Sequence, residues 1–298
     1  MAFQDELKRK LTDAGLGSIV NQVTQRTRPC YRVVRTLVPE SKIPIGASKF
    51  GGSPDVPAGF AWPESSNVKK PEALEFVAQI RLADLPEPFP EPAPGNGLLS
   101  FFTRWTGGRV FYFTEGTALQ RTEGPHPPVA PAPSGFWQTL RADFRRKPNP
   151  RHTYRAASLK FETALSLADG SSSMIEQLDL SEADSEAYIE LREAWWEDGF
   201  AGASVKHQIF GHASPIQNEM ELQCHFLRLG QEPRWDLPRD HFVAAAREWV
   251  LLLQMDSDDG KDGPGWMWGD GGMVYFWIHR DDLAARAFDR VIAIEECH

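Results

Sequence analysis

Carboxylates are concentrated just after the most apolar run of the chain. Asp256 and Asp258 follow that run, and Asp270 lies between glycines, two positions after Trp268. Oxygen ligands at this density are of the kind that bind Ca²⁺ or Mg²⁺. The spacing differs from that of an EF-hand, because the twelfth position counted from Asp258 is Gly269 and not an acid. We therefore favour acids that cap the turns of a solvated loop, with a divalent-metal-dependent hydrolase as the alternative.

The glycines around Asp270 predict a structural role for this acid. Glycine permits the positive φ angles of a tight turn, so we expect the Asp270 carboxylate to accept backbone N–H groups there. Such a turn would present Trp268 to a groove, with Asp256 and Asp258 forming its negative rim.

Other catalytic chemistry finds little support in the sequence. His207, His212, Cys224 and His225 have spacings that match no zinc-binding pattern. The chain also has no G-x-S-x-G nucleophile motif and no glycine cluster of the phosphate-binding kind. We predict no catalytic residue, no metal and no cofactor.

Tryptophan is unusually frequent, with 10 residues in the chain. Trp62 and Trp268 are flanked by glycine and proline, which predicts exposed aromatic walls. Such walls beside acids and amides are typical of sites for sugars or peptides. The predicted binding residues are therefore Trp62, Asp256, Asp258, Trp268 and Asp270, and a carbohydrate- or peptide-binding protein is a further alternative.

Composition restricts the class of protein. The 298 residues are 41% hydrophobic and 24% charged, which is typical of a globular chain. A net charge of −9 argues against nucleic acid as a partner. The charged N-terminus has no signal-peptide core, and the longest strongly apolar run, near residues 249–253, is too short to span a membrane. We expect a cytoplasmic protein without membrane contact.

The sequence also predicts the main helices, strands and segments that position these residues. Residues 1–40 predict an amphipathic helix and a first strand, and residues 41–135 begin with an irregular loop containing Gly51 and Gly52. Residues 136–200 are a connecting segment whose basic part, 138–160, precedes an acidic part, 176–198. A helix is predicted to follow Ser181 and to end at Gly199. Residues 201–298 include a strand-like stretch at 221–229 and a short helix from Asp240.

An internal repeat emerges from two glutamines. Gln79 precedes Gly97 by 18 residues, and Gln254 precedes Gly272 by the same 18 residues. Each glutamine ends an apolar strand, and each glycine begins an aromatic one, so each pair predicts two antiparallel strands. We predict an α+β fold with internal duplication, made of two related, mostly antiparallel sheets with peripheral helices. Both amides are expected to bind loop backbone groups.

Six blocks of sequence occur in the order typical of one known family. They are SKFGGSPDVPAGFAWPE, LEFVAQIRLADLP, GLLSFF, HQIFGHASPIQ, LLLQMDSDD and WGDGGMVYFWIHRDDLAARAFDRV. From about Ser48 to the C-terminus the chain thus resembles the YwqG-like family, a bacterial domain of unknown function. The resemblance implies a cytoplasmic bacterial protein of mixed α and β structure, without an established reaction. For some members it implies toxin–immunity or other interaction roles.

Together these features predict a non-catalytic binding or protein-interaction module. Its partner would be a protein or a small molecule, held near the loops of Trp62 and Trp268. The metal-dependent hydrolase and the carbohydrate- or peptide-binding protein remain the alternatives.

Overall fold

The computed structural model describes residues 2–65, 71–87, 89, 91, 93–104, 107–125, 154–199 and 205–298. This part of the chain has an α+β fold, with a ten-stranded antiparallel sheet, a two-stranded sheet and seven α-helices. None of its helices has the length and apolar character needed to cross a membrane.

The strands and helices are numbered in chain order. The strands are β1 Arg28–Leu37, β2 Lys49–Phe50, β3 Asp55–Val56, β4 Glu75–Arg81, β5 Leu98–Arg104, β6 Gly107–Phe113, β7 Gln120–Arg121, β8 Ala157–Ser166, β9 Gln208–Ile209, β10 Trp249–Asp256, β11 Met273–His279 and β12 Ile292–Glu296. The helices are α1 Ala2–Asp13, α2 Val20–Gln25, α3 Ser173–Glu176, α4 Glu182–Gly199, α5 Met220–Arg228, α6 Arg239–Glu248 and α7 Arg280–Ala284.

The large sheet curls into a nearly closed barrel. Its strand order is β12-β11-β10-β9-β1-β8-β2-β4-β5-β6, so the long pair β1 and β8 lies at the centre. The two edge strands approach each other: a Cβ at Gly108 of β6 would lie only 2.8 Å from the Cβ of Ala293 in β12. Phe101 and Phe276 meet in an edge-to-face contact with ring centroids 5.1 Å apart.

The two related sheets expected from the sequence are therefore one sheet. Strands from both halves join because β1 and β8 pair with each other along their whole lengths. Strand β1 also pairs with the two-residue strand β9 of the second half, and β8 pairs with the two-residue strand β2 of the first half. The α+β class and the antiparallel pairing are confirmed.

Strands β10 and β11 are buried on both faces, which explains their nearly continuous apolar sequence. Val250 and Met255 belong to the barrel core, whereas Trp249 and Leu251 pack under α5 and α6. A bulge between Leu251 and Leu253 adjusts the register of β10 against β11.

A third cluster of buried side chains joins α1, α2 and α4 to the end of β8. Ser181 accepts the backbone N–H of Asp184 at 3.1 Å, which is the predicted N-cap, and α4 ends at Gly199 as predicted. The buried face of α4 carries Tyr188, Leu191 and Trp195. The sequence-predicted helices α1 and α4 are thus confirmed, and so is the short helix predicted from Asp240, which is α6.

The strand predicted at residues 221–229 is wrong, because these residues form most of helix α5. The alternation of Leu222, Cys224 and Phe226 resembles a strand pattern. In the structure the helix packs against β10, β11 and α6, so several of its faces are buried. Leucine, glutamine and glutamate are also better helix formers than strand formers.

Candidate functional site

An open groove lies between β8 and the chain segment that precedes β2. We call it the β8 groove, and its volume is about 590 Å³. Its walls are Val38, Lys42, Ile43, Pro44, Ala47, Ser48, Asp84 and residues 158–161. The groove exists because β2 is only two residues long, so the chain before it separates from β8.

Strand β8 has a strand partner along its whole length on one side only. Its register with β1 runs from Arg28 opposite Ser166 to Leu37 opposite Ala157. On the other side, β2 pairs only with Ala157 and Ser158. The rest of that side has no strand partner among the described residues and is an edge within the sheet.

The direction of the backbone groups at this edge follows from one hydrogen bond. The N–H of Val38 donates to the C=O of Ala156 at 3.2 Å, next to the last residue pair of the two strands. Because bonded and non-bonded pairs alternate in an antiparallel ladder, the odd-numbered residues of β8 point away from β1. The N–H and C=O groups of Leu159 and Phe161 therefore face the groove. Within the described ranges, no group forms a hydrogen bond with them.

The groove has two exposed ammonium groups. Lys42 and Lys160 are exposed, and neither forms an ion pair with any residue that the structure describes. Asp84, by contrast, accepts a hydrogen bond from the hydroxyl of Ser48 at 2.7 Å. Ile45, in the loop that forms one wall, is 51% exposed.

Beside the groove, a group of buried and partly buried charged side chains surrounds the turn that follows β2. Lys49 and Asp55 are both fully buried, with Lys49 Nζ 3.5 Å from Asp55 Oδ1 and 3.1 Å from Glu40 Oε1. Arg121 Nε donates to Asp55 Oδ1 at 2.9 Å. Burial lowers the pKa of the Lys49 ammonium, and the carboxylates of Asp55 and Glu40 oppose this shift. Burial acts to raise the pKa of Asp55, but hydrogen bonds from Arg121 and the Gly46 N–H outweigh it, so the pKa is lowered.

Gln79 connects this turn to the sheet. Its amide nitrogen donates to the C=O of Ala47 at 2.7 Å and to Asp55 Oδ2 at 2.8 Å, and its oxygen accepts the N–H of Asp55 at 2.9 Å. The turn itself needs glycine, because a Cβ at Gly51, where φ is +58°, would lie 2.4 Å from the C=O oxygen of Arg155. Gly52 also has a positive φ, of +67°.

Gln254 makes corresponding bonds in the second half. Its nitrogen donates to the C=O of Lys206 at 2.8 Å, and its oxygen accepts the N–H of Ser214 at 2.8 Å. The prediction that both amides bind loop backbone groups is confirmed. Gly97 and Gly272 directly precede β5 and β11 at tight contacts. A Cβ at Gly97 would lie 2.7 Å from the C=O oxygen of Phe113, and a Cβ at Gly272 would lie 2.0 Å from that of Glu296.

Two acids of the predicted site, Asp256 and Asp258, are already hydrogen-bonded within the protein. Asp258 is buried, and its carboxylate accepts two hydrogen bonds from Arg35 and lies 3.3 Å from His207 Nε2. Burial acts to raise the pKa of Asp258, and the bonds from His207 and Arg35 overcome this effect and lower it. Asp256 Oδ2 accepts the N–H of Lys206 at 2.8 Å. Burial raises the pKa of Asp256 despite this bond.

Two expectations for this loop are wrong. Trp268 is 6% exposed and stacks on Trp266 with ring centroids 5.9 Å apart, so it belongs to the core and forms no exposed wall. Asp270 is exposed, and its carboxylate accepts no hydrogen bond from any described residue. The turn is closed by the backbone, through the N–H of Gly272 and the C=O of Trp268 at 2.6 Å.

Trp62 lies apart from this loop in a small aromatic cluster with Phe60 and Phe76. It is half-buried, packs edge-to-face on Phe102 and donates to the C=O of Leu74 at 2.8 Å. No contact connects it with Trp268 among the described residues. The two tryptophans therefore do not form one groove.

One family model matches most of the sequence. That model, described as a domain of unknown function, covers residues 48–297. The chain belongs to the DUF1963 family. The YwqG-like resemblance expected from the six sequence blocks spans the same region and stays a prediction. None of the curated proteins compared with the chain matches it.

The β8 groove lies across the boundary of the DUF1963 domain. The match begins at Ser48, so β1 and the wall formed by residues 42–47 precede it, whereas β8 lies within it. Arg35, the partner of Asp258, also precedes the match. Residues before the DUF1963 domain therefore contribute both to its groove and to its internal ion pairs.

The described histidines and cysteines of the DUF1963 protein are not grouped as metal ligands. His212 Nε2 lies 2.6 Å from the C=O oxygen of Arg26, and burial holds the pKa of this imidazole well below its usual value. Cys224 is buried, and His225 lies on the same helix, α5. In the part of the chain that the structure describes, no three His, Cys, Asp or Glu residues are grouped to hold a metal ion.

Most of the basic segment, residues 138–153, lies outside the described residues. Of its remaining cations, Arg155 donates to the C=O of Lys261 at 2.6 Å, in the acidic loop. The docking of this segment on the acidic helix α4 stays a prediction.

Sequence reasoning missed the charges around Lys49 and the two lysines of the groove. Lys49 lies directly before Phe50 in β2, and this was the available signal, because an ammonium buried beside an aromatic ring requires partners. The open edge had no comparable signal.

Proposed function

We propose that this DUF1963 protein is a non-catalytic protein-interaction module that binds an extended segment of a partner as an added strand on β8. The observation that carries the proposal is that the backbone groups of Leu159 and Phe161 face an open groove and form no hydrogen bond with any residue that the structure describes. Addition of a strand to a sheet edge is a recurring mode of peptide recognition, in which backbone bonds supply affinity and side-chain contacts supply specificity.

The surroundings of the edge support a binding role. Proteins commonly protect exposed edges with prolines, bulges or covering loops, because unpaired edges cause aggregation. Here the edge is short and recessed, and it is flanked by exposed Ile45 and Val34, which is 39% exposed. Exposed apolar side chains beside a groove are typical of protein-binding surfaces.

The alternatives have weaker support. A metal-dependent hydrolase would use Asp256, Asp258 and Asp270, but the first two are bound by backbone, Arg35 and His207. A carbohydrate site would use Trp62 and Trp268, which lie in different clusters. The toxin–immunity and other interaction roles implied by the YwqG-like resemblance are of the proposed class, since they require capture of a protein partner.

Amide hydrogen exchange tests the open edge directly. In the free protein we expect fast exchange at Leu159 and Phe161 and slow exchange at Lys160 and Glu162, whose N–H groups face β1. Slow exchange at all four amides would show that the edge is already covered, and would contradict the proposal.

Binding is tested with random peptides displayed on phage. We expect selected peptides to slow exchange at Leu159 and Phe161, and to lose affinity for the Leu159→Pro variant, which lacks one groove-facing N–H. The matched control is Leu159→Ala, which also loses side-chain contacts but retains the N–H. Equal binding to both variants, or a library without any binder, would refute strand addition.

The internal duplication is a second part of the proposal. We infer that residues 41–125 and 205–298 derive from one ancestral unit. Support comes from the equal spacing of Gln79–Gly97 and Gln254–Gly272 and from the corresponding amide bonds. A bulge two residues before each glutamine adds to it. A self-comparison of aligned relatives should match the two halves, and no match above that of shuffled sequences would contradict the inference.

A further inference from the structure

We infer that the segment added to β8 alternates apolar with acidic side chains. This inference rests on the proposed function and concerns the chemistry of the partner. It follows from the two faces that β8 presents and from the charges beside them.

An added strand would meet a different surface on each face of the sheet. Leu159 and Phe161 are partly buried and pack against the barrel core on the inner face. On the outer face, Ser158, Lys160 and Glu162 alternate with them, and the last two are exposed. Since neighbouring side chains of a strand point to opposite faces, every second residue of the partner would lie beside an apolar surface.

The outer face and the opposite wall determine the charge of the other residues. Lys160 on β8 and Lys42 across the groove have no ion-pair partner in the described part of the chain. Asp84, the one acid among the described residues of the groove wall, accepts a hydrogen bond from Ser48 and keeps its negative charge, so the two lysines exceed it by one charge. In a chain of net charge −9, two unpaired lysines at one groove favour an anionic ligand.

Glu162 limits where the acids can lie. It is exposed on the same face as Lys160, two residues further along β8. Like charges opposite each other on adjacent strands are destabilising, so an acid of the partner is favoured opposite Lys160 and disfavoured opposite Glu162. The acidic side chains of the partner segment are therefore expected toward the β2 end of the open edge, opposite Lys160.

The test uses short synthetic peptides, blocked at both ends and labelled for fluorescence anisotropy. One alternates valine with glutamate, one alternates valine with lysine, and one contains the valines and glutamates in separate blocks. We expect the first to bind at least about fivefold more tightly than the other two at low salt. Lys160→Glu and Lys42→Glu should each reduce or reverse this preference. The matched control is Lys261→Glu, an exposed lysine that is not part of the groove wall.

Peptide backbone methylation separates the inference from the function on which it rests. Methylation of the amides that face β8 should abolish binding, and methylation of the alternate amides should leave it intact. If valine–glutamate and valine–lysine peptides bind equally and both need the β8-facing amides, strand addition stands and the acidic preference is wrong. If no peptide binds, the proposed function itself fails. It also fails if methylation of the β8-facing amides and methylation of the alternate amides change the affinity equally.

Discussion

Gln79 and Gln254 fix two turns with the same bonds and different chemistry. Each amide donates to the C=O two residues before a two-residue strand and accepts an N–H from the turn that follows. Around Gln79 the neighbours are charged, and the residue opposite it is Lys49. Around Gln254 the residue opposite is the neutral Gln208. One backbone arrangement is thus stabilised once by buried ion pairs and once by neutral hydrogen bonds.

The comparison teaches that the amide is the common requirement and that the charges are a local solution. Buried ions must be paired, because removal of one partner leaves an uncompensated charge. Lys49, Asp55 and Arg121 therefore depend on one another, whereas Gln208 donates only to C=O oxygens, those of Phe210 at 2.6 Å and His212 at 2.9 Å. The two turns should differ in their response to single substitutions.

The largest difference is expected when the residue opposite each glutamine is changed. Lys49→Met leaves the fully buried Asp55 with Arg121 as its only cation, and we expect a loss of about 3 kcal/mol in the free energy of unfolding. Gln208→Met removes neutral bonds only and should cost about 1–2 kcal/mol. Urea unfolding measures both. Equal losses would show that the charges add nothing specific to the first turn.

Substitution of the glutamines themselves tests the common requirement. Gln79→Leu and Gln254→Leu each leave a turn N–H and a loop C=O without a partner, so each should cost about 2–3 kcal/mol. Gln79→Leu should cost more, because Asp55 also loses a donor. Urea unfolding is again the measurement, and Gln231→Leu, the same change at an exposed glutamine, is the control. A negligible loss at either position would remove the basis of the comparison.

The sequence predicted the parts of this arrangement that depend on local spacing. The periodicity of Leu7 and Leu11 and the cap at Ser181 were sufficient for α1 and α4, and the glutamine–glycine spacing for two hairpins. Helix α5 was missed because packing on several faces hides its 3.6-residue period.

The candidate site could not be predicted because it depends on long-range contacts. Lys49 and Arg121 are separated by 72 positions in the chain and share Asp55 only in the folded state. The open edge results from the shortness of β2, and a two-residue strand has no recognisable period. Trp268 was placed at the surface on the basis of its glycine neighbours, yet those glycines let the chain turn its ring into the core.

Acid should affect the Gln79 turn through Asp55. The pKa of Asp55 is lowered in the folded protein, so its stabilising contribution is present above the unfolded-state pKa near 3.8 and is lost as the pH falls through the folded-state value. The Asp55→Asn variant should be less stable at neutral pH and should lose less stability below about pH 4. Urea midpoints measured from pH 6 downward provide the test. Parallel curves for the variant and the wild type would contradict it.

The smallest effect is expected at Asp270, an acid on the Gln254 side of the molecule. The sequence alone predicts a structural role for this acid, but it is exposed and accepts no hydrogen bond from the described residues. The turn around it is determined by Gly269 and Gly271, whose φ angles are +49° and +75°, and by a backbone bond. Asp270→Ala should therefore change the free energy of unfolding by less than about 0.5 kcal/mol. Asp258→Ala, the matched acid that pairs with Arg35 and His207, should cost several times more, because it leaves the buried His207 without its carboxylate partner. A large loss in the free energy of unfolding for Asp270→Ala would contradict this prediction. It would show that the Asp270 carboxylate stabilises the turn and that acids stabilise both halves alike.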